Sequence, residues 1–311
     1  MMTRRVILGV LVSALASSAH LSARQPTTAP TQVIRRSPTP LNKPRTRDTR
    51  QKLDFWQIWS HDIPEKMKLM SFHSDVVGST VSFVVYLPPD YLTNKHRRYP
   101  VLYWLPNISG DCREVGSLVQ EYDVAFRNRE IPPMIIIGVQ GVFGSYYTDS
   151  RDRGRMVETV IATEMIPRID GMLRTIPDRE HRALEGFGMG GYGAAHLAFK
   201  YPEQFGVASI LSPPLPTYES FSRDAPAFVR DVWGSDPDYF NANDPFTLVQ
   251  KNADAIRGRI KIRLACGAED RNHIFVEDFH ALLEQLSIPH EYKLIPGVKA
   301  NIGFVLGGLG N

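Results

Sequence analysis

The sequence predicts an α/β fold: one mostly parallel sheet of eight strands with helices on both faces. Three observations lead there. Short, mostly apolar runs at 101–105, 134–139, 183–187, 207–211, 260–266 and 291–295 alternate with helical patterns, and such runs are the mark of strands buried on both faces. Two earlier segments, 67–73 and 80–87, alternate and are rich in β-branched residues, the second closing on Pro88-Pro89-Asp90, so the sheet opens antiparallel. Finally, a glycine-rich segment follows directly on the 183–187 run and opens a helix, the connection of a doubly wound sheet whose ligands sit at the carboxyl ends of its strands.

In chain order, the first element is a leader. Met1-Met2-Thr3-Arg4-Arg5 precedes an apolar stretch from Val6 to about Ala16 and small residues ending at Ala23. This is the pattern of a signal peptide cleaved near Ala23 or Ala19, and it is too short to span a membrane. Export would make the protein secreted or periplasmic, with no transmembrane span left after cleavage. Residues 24–52, rich in Pro, Thr and Arg, read as a disordered basic tether. Eight basic residues and one acid there, together with Arg4 and Arg5, leave residues 53–311 with about −6 of the overall +3. The basic balance therefore belongs to leader and tether, and no nucleic-acid partner is expected.

Residues 53–311 are expected to form one domain, long enough for a single large core. Within it, 156–176 places Val157, Val160, Ile161, Met165, Ile166, Ile169 and Met172 on one helical stripe, and 274–286 does the same with Phe275, Phe279, Leu282 and Leu283. Residues 212–257 break the rhythm with six prolines and the aromatics Tyr218, Phe221, Trp233, Tyr239 and Phe240. They read as an excursion over the strand ends that either shapes a pocket or merely packs. Cys112 and Cys266 are the only cysteines; two free buried thiols are expected over a bridge. The nine histidines show no helical His-x-x-x-His spacing, so neither a metal hydrolase nor any cofactor is expected.

The most specific feature is Gly186-Phe187-Gly188-Met189-Gly190 at the strand-to-helix turn. It has the frame of a nucleophile elbow, G-x-S-x-G, with Gly188 in the serine slot. Taken alone, such a turn also fits a phosphate loop. The rest of the chain decides. Val85-Tyr86-Leu87-Pro88-Pro89-Asp90-Tyr91, Tyr99-Pro100-Val101-Leu102-Tyr103, the segment 164–170, the elbow with 199–206, Gly267-Ala268-Glu269-Asp270, and Ile288-Pro289-His290 leading to Pro296-Gly297-Val298 occur in this order. From Met67 to the C-terminus the chain resembles the "Putative esterase" family of the α/β-hydrolase superfamily, which includes feruloyl and acetylxylan esterases, S-formylglutathione hydrolases, enterochelin esterases and mycolyltransferases.

The resemblance implies an α/β-hydrolase fold and assigns site positions. The family's serine falls on Gly188, its acid on Asp270 and its histidine on Ala300. Its oxyanion loop falls on Pro106-Asn107-Ile108-Ser109-Gly110-Asp111, with the backbone N–H of Met189 as the other donor. In an acyl-transfer triad the serine oxygen attacks, the histidine moves its proton and the acid orients the imidazole. Glycine has no nucleophilic atom and alanine moves no proton. Losing an essential member costs on the order of a millionfold, and losing a second costs little more. Ser212 and Ser109 as substitute nucleophiles, His273 as a substitute base, and Glu269 with Asp270 as a carboxylate pair are weaker candidates.

The expected function is thus a secreted esterase homologue, catalytically inactive or severely impaired. Its ligand would be a small-molecule or carbohydrate-linked ester, aromatic esters included. Two rivals stand beside it: a serine carboxylesterase acting on carbohydrate-linked or aromatic esters, either active or disabled in this copy by engineering, and a non-catalytic cell-envelope binding protein held by the basic tether.

Overall fold

Mostly apolar runs, unable to leave their backbone groups unpaired in a dry interior, assemble into one sheet. The computed structural model describes residues 56–58 and 62–310; the expected leader and tether, and the expected domain start at 53, lie outside the described residues. The strands are β1 (Met67–Ser74), β2 (Ser79–Tyr86), β3 (Val101–Leu105), β4 (Ile135–Val139), β5 (Arg182–Phe187), β6 (Val207–Leu211), β7 (Lys261–Gly267) and β8 (His290–Ile295). Their spatial order is β1-β2-β4-β3-β5-β6-β7-β8. β2 pairs antiparallel with β1 and with β4, and every later pairing is parallel. Every residue of β3, β4, β5 and β6 is buried, the polar Arg182, Glu185 and Ser209 included. The eight-stranded α/β-hydrolase sheet expected from sequence is what forms.

The helices depart from expectation in instructive ways. The long helix expected over 156–176 is α2 (Val157–Thr159), a π-helical stretch (Val160–Met165) and α3 (Ile166–Met172). Pro167 stands in the first turn of α3; its ring and missing N–H disturb the turn before it, and the wider π stretch accommodates them. The helix ends at Met172, with Leu173 extended. Met172, expected on the buried stripe, is therefore 47% exposed. A helix not anticipated, α1 (Gly116–Arg127), buries Leu118, Val119, Ala125 and Phe126.

The helix α4 (Met189–Lys200) follows β5. The Pro-rich excursion folds into α5 (Tyr218–Asp224), α6 (Pro226–Trp233), α7 (Pro237–Asn243), α8 (Pro245–Lys251) and α9 (Ala253–Ile256). Pro226, Pro237 and Pro245 each start a helix, where a missing N–H costs nothing. Of its aromatics, Phe221, Trp233 and Phe240 are buried. Tyr146 meets Tyr192 of α4, Phe221 and Trp233 at ring-centroid distances of 5.2, 5.1 and 5.4 Å. The excursion thus packs onto the helix behind the elbow. The last helices are α10 (His273–Gln285) and α11 (Ile302–Gly310). α10 buries Phe279 and Leu283 as expected, with Val276 beside them. Cys112 and Cys266 are both buried and free. Among the described residues no helix is long and apolar enough to cross a membrane.

One polar row crosses the core. Glu185, Ser209 and Arg263 are register partners on β5, β6 and β7. Arg263 donates to Glu185 Oε1 at 2.5 Å and to Ser209 Oγ at 2.7 Å, and Tyr122 donates to Glu185 Oε2 at 2.6 Å. Removing one partner leaves a buried charge unpaired. Arg263→Met is therefore expected to cost about 3–5 kcal/mol in urea unfolding, and the double variant with Glu185→Leu distinctly less.

Asp244 caps α8 by accepting the Thr247 N–H at 3.1 Å. Burial nevertheless pushes its carboxyl up to about 6, against the hydrogen bonds from Thr247 that lower it. The charged form is thus penalised in the folded state. The penalty is absent below the unfolded value near 3.9, grows through pH 6 and is complete above it. Asp244→Asn keeps the cap acceptor, and should raise stability by about 1–3 kcal/mol at pH 7.5 with no gain at pH 3.5. Thermal midpoints at the two pH values check this.

Candidate active site

A central strand that becomes a helix within one residue needs a backbone conformation most residues avoid. Gly188 supplies it, with φ +59° and ψ −121° between β5 and α4. The turn is held by Gly188 N–H donating to Leu211 O at 2.9 Å and Tyr192 N–H to Gly188 O at 3.0 Å. At Gly190 a Cβ would come within 1.8 Å of the Leu105 carbonyl oxygen, so the helix lies directly against the end of β3. The strand-to-helix geometry expected of an elbow is therefore present around Gly188.

The space beside Gly188 is filled. A Cβ there would stand 2.3 Å from Asn107 Oδ1, 2.7 Å from its Cγ and 2.9 Å from its Nδ2. Asn107 Oδ1 accepts the N–H of Met189 at 3.0 Å and that of Ile108 at 2.7 Å. These are an N–H after the elbow residue and one from the loop after β3, the two places from which an α/β-hydrolase draws its oxyanion donors. The Asn107 N–H itself donates to the Glu114 carboxylate, at 3.1 and 3.3 Å to its two oxygens. Burial raises the Glu114 pKa, opposed by that N–H. Pro106 has no N–H to offer, and its carbonyl accepts the Tyr147 hydroxyl at 2.8 Å. The loop is clamped, and the N–H groups of Asn107, Ile108 and Met189 all have internal acceptors.

Asp270 lies in the turn after β7 and is 1% exposed. Its Oδ1 accepts the Asn272 N–H at 2.9 Å, while Oδ2 is buried without a hydrogen-bond partner. The neighbouring Cys266 thiol is pushed up to about 12 by burial, with Ser212 lowering it and Asp270 raising it. Ala300 is exposed, in the loop after β8. That loop is bound to the Asp270 loop by Glu269 N–H to Val298 O at 2.9 Å and Ala268 N–H to Ile295 O at 2.8 Å. The elbow connects to the same place: Ser212 follows Leu211, and its carbonyl accepts from Asn272 Nδ2 at 2.9 Å. Gly188, Met189 and Asn107 are thus in mutual contact, and the loops of Asp270 and Ala300 are joined at the same end of the sheet.

The substitutes fare worse. Ser212 is wholly buried and Ser109 is exposed on the clamped loop. His273 Nδ1 donates to the backbone carbonyl of Asp270 at 2.7 Å, not to its carboxylate. Glu269 is exposed while Asp270 is buried, so the two carboxylates do not face a common site. The sequence places Asn107 in the loop, while its role as an acceptor and the parts of Glu114 and Tyr147 emerge only from the geometry. A polar residue where a glycine was expected was the available signal.

A family model described as "Putative esterase" matches residues 74–300. The endo-1,4-beta-xylanase/feruloyl esterase of Xylanibacter ruminicola is 30% identical over 153 residues, 46% of this chain and 21% of that protein. An esterase of Mycobacterium tuberculosis is 27% identical over 255 residues, 73% of this chain and 54% of that protein. The chain thus spans about a fifth to about half the length of these curated relatives. A solved ferulic acid esterase superposes with a TM-score of 0.67 at 22% identity, over 78% of this chain and 95% of its own, a likeness of fold.

A serine at 188 would meet both the left-handed φ and the Asn107 amide. Gly188→Ser is expected to lower stability by about 1–3 kcal/mol, and adding Asn107→Gly to recover part of that loss. Chemical unfolding of the single and double variants reads the difference.

Proposed function

The chain belongs to the esterase family so matched, and from that membership we propose that it is a secreted, non-catalytic homologue whose oxyanion site is occupied by its own Asn107. One observation carries this reading: Asn107 Oδ1 stands where a serine Cβ would intrude, and it takes the N–H groups of Met189 and Ile108. Acyl transfer needs those donors free for the charge that develops on the substrate oxygen. It also needs a nucleophile and a proton carrier, for which Gly188 and Ala300 have no atoms.

Asn107 also bears on how the site came to be lost. One substitution suffices to disable a triad by design. Four concerted departures, at Gly188, Ala300, Pro106 and Asn107, fit descent from an active esterase better. The relatives' names, feruloyl esterase among them, keep an aromatic or carbohydrate-linked ester as the ligand class, held without turnover at the strand ends. The leader expected at 1–23 and the basic tether expected at 24–52 support export of the domain at 53–311.

The full chain is expected to hydrolyse neither p-nitrophenyl acetate nor methyl ferulate above buffer. Gly188→Ser with Ala300→His should remain inactive, because Asn107 still fills the oxyanion site, and activity should emerge only when Asn107→Gly is added. Turnover by the unaltered chain that Ser212→Ala or His273→Ala abolishes would overturn the reading.

A further inference from the structure

At the opposite end of β8 from the Ala300 loop, an imidazole pair and a carboxylate converge. His280 and Glu284 stand four residues apart on α10, hence on one face of it, and His290 is the first residue of β8. One ligand atom from each of the three lies within 4.8 Å of the others. We propose that His280, Glu284 and His290 bind a divalent transition-metal ion of the zinc class, clipping α10 to the edge strand of the sheet.

The orientation of the rings supports this. His290 Nδ1 donates to the Ile288 carbonyl at 2.9 Å, the backbone contact that commonly orients a metal-ligating histidine. In the neutral ring this leaves Nε2 unprotonated, 2.7 Å from His280 Nδ1. The His280 ring is fixed in turn by stacking on Tyr292, with centroids 4.0 Å apart and planes 8° apart. Two imidazole nitrogens this close share one proton as a hydrogen bond. Replacing that proton with a metal ion about 2.0–2.1 Å from each nitrogen requires the rings to separate by roughly half an ångström. The exposed Glu284 supplies the third ligand, and water completes a tetrahedron.

The connecting turn is rigid enough to hold the cluster. Leu286 N–H donates to Leu282 O, Ser287 N–H to Glu284 O and Ile288 N–H to Leu283 O, each at 2.9 Å, and the Ile288 side chain is buried. All three ligands therefore come from one helix–turn–strand unit. Two imidazoles and a single carboxylate favour zinc, copper or nickel over calcium or magnesium, which take oxygen ligands. The role is structural: β8 runs about 3.3 Å per residue, which sets His290 roughly 17 Å from the loop that carries Ala300.

The test uses the tag-free full chain, titrated with zinc by calorimetry and with cobalt by visible absorption. The expected result is one zinc per chain, a raised thermal midpoint, and the absorption of tetrahedral cobalt. His280→Gln and His290→Gln should each weaken binding by about tenfold or more and abolish the cobalt spectrum, while circular dichroism confirms that both fold. Absence of stoichiometric binding, or binding that both variants retain, overturns the site and marks any residual zinc as adventitious. Since ester hydrolysis enters none of these measurements, the outcome is independent of the reading proposed for the elbow.

Discussion

The site hangs on a single steric constraint, the reversal of the chain at Gly188. β5 must stop and α4 must begin within one residue, and the start of the helix must pass so close to the end of β3 that any Cβ at Gly190 would collide with the Leu105 carbonyl. Everything nearby is placed by that crossing. The Met189 N–H is turned toward the loop after β3, Leu211 is drawn onto the Gly188 N–H, and Tyr192 is presented to the aromatic cluster of the excursion. The fold therefore retains the elbow for packing reasons whether or not a nucleophile sits on it.

An elbow without a nucleophile has a problem of its own. N–H groups aimed at a substrate oxygen are left without a partner when no substrate binds, and buried donors without acceptors cost about 1–3 kcal/mol each. Working enzymes tolerate such costs at their sites. The Asn107 side chain removes two of them at once by giving one oxygen to Met189 and Ile108. Gly188, lacking a Cβ, is what makes room for it. On the proposed reading the two residues are coupled: the glycine admits the amide, and the amide stabilises the turn that the glycine relaxes.

The sheet was legible because its signal is local. Mostly apolar runs separated by amphipathic stretches define β3 to β7, and the elbow glycines mark where β5 ends. The helices were less so. A stripe that continued to Met172 gave no sign of the π stretch, which arises from how Pro167 fits the preceding turn. The prolines of 212–257 read as loop because their position relative to a helix start depends on caps such as Asp236 and Asp244. At the site, identities were readable and directions were not. Nothing in Pro106-Asn107 says that the amide oxygen points at Met189. Likewise His280, Glu284 and His290 straddle a helix, a turn and a strand, so helical spacing alone could not join them.

Asp270 shows why an acid at the end of a central strand is weak support for catalysis. Half of its carboxylate has local work: Oδ1 accepts the Asn272 N–H and so shapes the turn that leads into α10. Asn272 in turn holds the Ser212 carbonyl, tying that turn to the end of β6. Removing the acid would loosen these contacts, so packing alone explains its presence. The other half, Oδ2, is buried in the loop bound to the one that carries Ala300, with the Cys266 thiol beside it. On the proposed reading, a carboxylate that keeps its structural bond is what stays when an imidazole is lost but the turn beneath it must still fold.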